Sequence, residues 1–198
     1  MNNYKNSYKA TEKELVSLCV YNVGNQKCDP LYQWGPGVRD HYLIHYIISG
    51  KGTYTVNNTT HNLCAGDCFL VFPNTEVIYR ADEYEPWEYV WVGFSGSDAE
   101  MILKATDFTK MHPCLKNLSY GDEVCRQILH IYDARGNKFE HAVEMTGRLY
   151  TTLAIFMHES NKDITQNTLN SYVQKGIEFI SSNYSYPITV EDIASYVG

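Results

Sequence analysis

The chain is 198 residues long, with 44% hydrophobic and 20% charged side chains and a formal net charge of −7. This length suits one domain with a small appendage, and the apolar fraction suffices for a packed core. The acidic balance argues against a chain that by itself grips nucleic acid or an anionic membrane, since both need clustered cations.

Residues 1–14 read as an arm without a core-forming pattern, and Met1 to Lys13 has no signal-peptide core. Residues 15–96 read as about seven short strands separated by turn signals. Leu15 to Val23 is apolar and β-rich, and Tyr42 to Ile48 is a second run, closed by Ser49-Gly50-Lys51-Gly52. Thr53 to Val56 and Thr60 to Leu63 flank Asn57-Asn58, a hairpin turn because Asn tolerates positive φ. Ala65-Gly66-Asp67 turns into Cys68 to Phe72, stopped by Pro73-Asn74; Val77 to Arg80 and Trp87 to Phe94 complete the set. Strands of this length and spacing predict an antiparallel sandwich or barrel.

After Phe94 the period changes from two to about 3.6, marking a helical segment over residues 97–160. Ser97 with Glu100 three residues on forms a capping-box pattern for a helix through Lys104. A second helix is expected over Asp122 to Tyr132 and a third over Phe139 to Glu159. On the third, Phe139, Val143, Thr146, Tyr150, Leu153 and Met157 form one row, beside a second of Ala142, Met145, Leu149, Thr152 and Phe156. One row docks a helix on a sheet. Two rows either sink the helix in its own domain or leave a face for a second subunit, with Phe139, Val143, Tyr150, Leu153 and Met157 as its contacts. Residues 161–170 read as a linker. Residues 171–198 read as the start of another helical domain, with a helix over Leu169 to Tyr184 and a second capped by Thr189 that stops in mid-pattern at Gly198.

No apolar run reaches the roughly 18 residues of a membrane-spanning helix, and the expected location is the cytoplasm. Six cysteines without a secretory signal read as reduced, mostly buried thiols. Tyrosine, 17 of 198, is the compositional excess, a side chain suited both to wet pockets and to strands.

Three stretches carry a resemblance. Asp40-His41-Tyr42-Leu43-Ile44-His45-Tyr46-Ile47-Ile48-Ser49-Gly50-Lys51-Gly52, Ala65-Gly66-Asp67-Cys68-Phe69-Leu70-Val71-Phe72-Pro73 and Trp87-Glu88-Tyr89-Val90-Trp91-Val92-Gly93-Phe94 resemble the sensor domain of AraC-family transcription regulators. The tail, Ile188-Thr189-Val190-Glu191-Asp192-Ile193-Ala194-Ser195-Tyr196-Val197-Gly198, is similar to the opening of that family's helix-turn-helix domain. The resemblance implies an α+β fold in which a cupin-type antiparallel barrel (a double-stranded β-helix) binds an effector and a helical segment dimerises. The recognition helix lies beyond Gly198, so DNA is expected to be contacted only through that missing part, with no membrane contact. The Trp-Glu-Tyr-Val-Trp-Val-Gly-Phe subgroup is similar to carbohydrate-utilisation regulators, which implies a mono- or oligosaccharide effector.

The alternative is a cupin-fold enzyme acting on sugars. Metal cupins are similar in outline, and anchoring their signature on Gly50 and Pro73 puts the four ligand positions on Gly37, Arg39, Leu43 and Ile78. None of these is a metal ligand. His41 and His45 share a strand face but lie about 13 Å apart along an extended strand, too far to chelate one ion unaided. No cofactor, no metal and no catalytic residue is therefore expected.

Candidate ligand-binding residues are Arg39, His41, His45, Tyr79, Trp87, Tyr89 and Trp91. Alternation puts Trp87, Tyr89 and Trp91 on one face, where they either form a pocket with Trp91 as a stacking platform or fill the barrel core. Arg39 shares parity with His41, Leu43 and His45; it either enters the pocket, hydrogen-bonding a sugar or a carboxylate, or sits at the surface where the strand begins. His45 has the additional reading of a satisfied core residue. Tyr79 falls near a ligand-contacting Tyr of the arabinose-responsive family member. Trp34 either caps the mouth or packs on the sheet. By the same likeness Tyr4 and Tyr8 of the arm either fold over bound ligand or stay disordered.

Overall fold

The computed structural model describes residues 3–10, 15–160, 162 and 168–198. Two compact units divide the chain between residues 161 and 162. Among the described residues the first unit contains β1 (Tyr4–Lys9), β2 (Cys19–Lys27), β3 (Gln33–Val38), β4 (Tyr42–Ser49), β5 (Lys51–Val56), β6 (Thr59–Cys64), β7 (Cys68–Val71), β8 (Glu76–Ala81), β9 (Glu88–Ser95), α1 (Ala99–Lys104), β10 (Cys114–Leu115), α2 (Gly121–Asp133) and α3 (Phe139–His158). Every strand pairing is antiparallel, in a six-stranded sheet ordered β1-β2-β9-β4-β7-β10 and a four-stranded sheet ordered β3-β8-β5-β6. The class is α+β, with cupin-like sheets and helices packed on the larger one.

Two cores result, one on each face of the six-stranded sheet. On the outer face Val90, Val92 and Phe94 of β9, with Ile44 and Tyr46 of β4, meet Val124, Ile128 and Ile131 of α2 and Met145, Leu149, Leu153 and Phe156 of α3. On the inner face Leu43, Ile47, Phe69, Tyr89 and Trp91 meet Tyr54, Val56, Val77 and Tyr79 of the four-stranded sheet. Burial on both faces explains why β9 and β4 read as nearly continuous apolar runs. The β5–β6 hairpin turns on Asn57 and Asn58, with φ of 50° and 60°, as the sequence predicts.

Several local expectations are corrected. Strand β2 begins at Cys19 rather than Leu15 and runs on to Lys27. Strand β9 begins one residue after Trp87. The arm's residues 4–9 form an edge strand, β1, along β2. Gln33–Val38, which contains Gly35-Pro36-Gly37, is also a strand; it lies at the sheet edge, where Pro costs no ladder bond, and its register shifts between Trp34 and Gly37. Helix α1 starts at Ala99 with Asp98 as its unbonded N-cap, and the Ser97 hydroxyl donates to the Asp98 carboxylate, so no Ser97–Glu100 box forms.

Of the linker, residues 161 and 163–167 lie outside the described residues, and 168–170 belong to α4 (Thr168–Asn183). In the second unit α4 is followed by α5 (Val190–Val197), where Thr189 caps as expected: its hydroxyl accepts from the Asp192 N–H at 3.2 Å. Phe179 and Tyr196 hold the two helices together, their ring centroids 5.1 Å apart.

Candidate functional site

Strand register builds a cleft on the inner face of the six-stranded sheet. One row of paired residues reads Lys9, Asn22, Gly93, Leu43; the next reads Ser7, Gly24, Trp91, His45, Phe69; the third reads Lys5, Gln26, Tyr89, Ile47. Because residues two apart along a strand share a face, these rows stand side by side. From across the interior come Trp34 and Tyr79, which are themselves paired on β3 and β8, with Tyr32 and Arg39 from the flanking loops. The cleft is open on one side and has a volume of about 280 Å³.

Arg39 is anchored at two points. Its Nη2 donates to the Tyr79 hydroxyl at 3.0 Å, and the guanidinium lies 3.9 Å from the centre of the Trp34 ring, a cation–π contact. Trp34 in turn stacks on Tyr79 at 5.2 Å. Burial pushes the Tyr79 hydroxyl up to about 12 against the opposing influence of Arg39, so it remains protonated and able to donate. The Arg39 Nε is buried and without a protein partner.

His45 stacks on Phe69 at 4.4 Å and meets the edge of Tyr89 at 5.0 Å. Burial first, and then the charge of Arg39, hold its pKa well below 6.5, so the ring is neutral. Its Nδ1 has no protein partner, and neither has Oδ1 of Asn22. Thus, among the described residues, three of the four buried side-chain polar atoms lacking a partner belong to residues lining this one cleft. Native interiors leave few such groups, and a cluster of them marks a place where a polar ligand completes the hydrogen bonding.

Of the seven candidates from sequence, Arg39, His45, Tyr79, Tyr89 and Trp91 line the cleft together. The other two do not. Trp87 is fully buried in the inner core, against Phe69 and Tyr89, and does not reach the cleft. His41 sits behind Asn22: its Nε2 lies 3.2 Å from the Asn22 amide nitrogen, its Nδ1 2.7 Å from the Asp40 carboxylate, and its ring stacks on Tyr21. It orients a lining residue from outside the lining. Trp34 does line the cleft, whereas the Tyr8 ring packs on the outer core, its hydroxyl donating to the Gly136 carbonyl at 2.6 Å, and the Tyr4 hydroxyl bonds to Glu88.

Sequence reasoning missed Lys5, Ser7 and Lys9 of β1, Asn22 and Gln26 of β2, and Tyr32. The available signal was the two-residue spacing Asn22-x-Gly24-x-Gln26, a polar face opposite Val23. Gly24 is essential to the wall: a Cβ there would stand 2.1 Å from the Asn6 carbonyl oxygen and 2.5 Å from the Trp91 ring. The donor set does not fit a metal ion. His45 is the one His, Cys, Asp or Glu of the lining, three cations line the same space, and no group of three such ligands occurs among the described residues.

On α3 the second row is the docking face: Met145, Leu149, Thr152 and Phe156 are buried. Of the first row, Leu153 is also buried in the chain's own core, which removes it from any surface; Met157 is half-buried, and Phe139, Val143 and Tyr150 are exposed.

A family model described as the AraC-like ligand binding domain matches residues 21–153. The chain belongs to this family. The Msm operon regulatory protein of Streptococcus mutans is 36% identical over 197 residues, covering 97% of this chain and 70% of that protein. The raffinose operon transcriptional regulatory protein RafR of Pediococcus pentosaceus is 29% identical over 199 residues, covering 96% and 70%. Among solved structures, an RmlC-like cupin family protein with a double-stranded β-helix fold from Methanocaldococcus jannaschii aligns with a TM-score of 0.40 and 17% identity over 50% of this chain and 85% of that one. The AraC-like ligand binding domain match takes in every cleft residue except those of β1. None of the described helices is long and apolar enough to cross a membrane.

Proposed function

We propose that the first unit is the effector-sensing domain of an AraC-type transcription regulator, that its effector is a mono- or oligosaccharide, and that it acts by binding and not by catalysis. One observation carries the reading: the unpartnered polar atoms of Asn22, Arg39 and His45 sit within walls made of Trp34, Tyr79, Tyr89 and Trp91. A sugar matches both halves of that surface, because its C–H faces stack on aromatic rings while its hydroxyls meet polar atoms in the ring plane. The names of the related operon regulators support the same class of effector and a cytoplasmic setting.

Homodimerisation is the second part of the reading. Phe139, Val143 and Tyr150 form an exposed apolar strip on α3, with open space at Gly147 between them. Such a strip supports helix-to-helix association of two copies. Regulation then requires that the effector bind two arrangements of the protein with different affinity.

The test is a thermal-shift screen of the chain against mono- and oligosaccharides, raffinose included. A sugar at about 100 times its dissociation constant stabilises the fold by about 2.7 kcal/mol, a melting shift of several degrees. A selective shift supports the reading. Turnover of a sugar, or silence across mono- and oligosaccharides, contradicts it.

A further inference from the structure

The charge of the cleft does not match that of the chain. The protein carries a net −7, yet the cleft is lined by Lys5, Lys9 and Arg39 and by no Asp or Glu. Six cations outside the cleft, Lys51, Lys104, Lys116, Lys138, Arg126 and Arg148, each pair with a carboxylate. Among the described residues no ion pair forms at Lys5, Lys9 or Arg39. Lys9 has only the face of Tyr21, 5.2 Å from its ammonium, and Arg39 has only Tyr79 and Trp34. The acidic groups nearest in sequence or register are committed to other partners: Asp40 to His41, Asp29 to Asn3, and Glu88 to Tyr4.

Register places two of the three cations at one end. Lys9 stands in the row of Asn22, Gly93 and Leu43, near the start of β4, and Arg39 lies three residues before β4 in the same side-chain parity as Leu43. A neutral ligand over that end strips water from two cations and returns no charge, which is costly in a concave, low-dielectric site. An oxyanion removes the cost and satisfies the Arg39 Nε that the protein leaves unbonded.

Resting on the saccharide reading, we propose that the effector is an anionic sugar, a phosphate ester or a carboxylate, whose charged group lies between Arg39 and Lys9 while the ring stacks on the aromatic walls. Lys5, in the row of Gln26 and Tyr89, extends the positive field along the cleft.

Two measurements test this. In the first, inorganic phosphate is compared with chloride at matched ionic strength by thermal shift; the melting point rises in phosphate, and most of that increment disappears in Arg39→Gln and in Lys9→Gln. Lys9 is on an exposed edge strand, so its variant folds. In the second, calorimetry compares galactose with galactose 6-phosphate and galacturonate, which separates phosphate from carboxylate as the charged group. One charged form binds at least tenfold more tightly than galactose, the advantage shrinks as salt rises, and Lys9→Gln narrows the ratio of charged to neutral affinity. A phosphate increment that survives both substitutions, or galactose binding as tightly as both charged forms, overturns the proposal. In the latter case the saccharide reading stands. If no sugar binds but the phosphate increment is present and lost in the variants, the anion site stands and the saccharide reading fails.

Discussion

Replacing Gly24 by Ala tests whether the arm is a wall of the cleft. The added methyl would stand 2.1 Å from the Asn6 carbonyl oxygen of β1 and 2.5 Å from Cζ2 of Trp91. Ordinary C···O contacts are about 3.3 Å or longer, so β1 must retreat by about 1.2 Å unless β2 moves, and β2 is fixed by β9 on its other side. A retreat of that size breaks the ladder around the Ser7–Gly24 pair. Losing two backbone hydrogen bonds at about 1 kcal/mol each gives about 2 kcal/mol, in line with the about 1–3 kcal/mol usual for overpacking. The residues of β1 are mostly exposed and it is an edge strand, so the cost is taken as release of β1 from β2. Trypsin cleavage after Lys5 and Lys9 should accelerate about 10- to 30-fold, and melting should fall by about 4–8 °C. Limited proteolysis read by mass spectrometry, with calorimetric melting, measures both. Wild-type cleavage rates and an unchanged melting point in Gly24→Ala would refute the placement of β1 against Gly24 and Trp91.

Three further outcomes follow from other sites. His45 is neutral when folded, so the unfolded chain binds a proton near pH 6.5 that the folded chain refuses. Its contribution to stability is therefore intact above pH 6.5 and lost below it, at up to about 1.4 kcal/mol per pH unit; melts from pH 7.5 to 5 should show a shallower acid slope in His45→Phe than in wild type. The Asp67 carboxylate accepts from the Cys64 N–H at 2.9 Å, the Asn117 N–H at 3.0 Å and the Lys116 ammonium at 2.8 Å. Burial pushes its pKa up, but these donors outweigh it and hold the group below the usual range, so its stabilisation is present above about pH 4 and lost as pH falls through the folded value. Asp67→Asn turns one acceptor into a donor facing donors and should cost about 3 kcal/mol in denaturant unfolding at pH 7, an effect that a wild-type midpoint would rule out. Val143→Glu, on the exposed strip of α3, should shift sedimentation from dimer to monomer; a variant that stays dimeric moves the interface elsewhere.

The parts of the fold legible in sequence were those with an apolar period. Strands β4, β5, β6, β7, β8 and β9 lie within a residue or two of their expected places because alternation or continuous burial marks them. Parity put Tyr89 with Trp91 on one face of their strand and Arg39 with His45 on one face of theirs, while the β4–β9 register, which spacing does not carry, brings the two sets together. The strands that escaped detection lack such a signal: β1 is polar on both sides because one side is wet and the other is the cleft, and β3 hides in a Gly-Pro-Gly run that sequence reads as a turn. Gln26 escaped for the same reason, lying beyond the expected end of β2 at Val23, and Asn22 escaped because a polar residue inside an apolar run carries no period of its own. Trp87 shows the opposite limit. Parity gives its side of the sheet correctly, but depth along the barrel axis is a property of tertiary packing that spacing does not carry.

The most direct measurement is isothermal calorimetry of the wild-type chain and of Trp91→Ala with the sugar selected by thermal shift. One site per chain is expected, with affinity at least tenfold weaker in the variant as the stacking platform is lost. Equal affinity in the two proteins would place the effector outside this cleft and contradict the account.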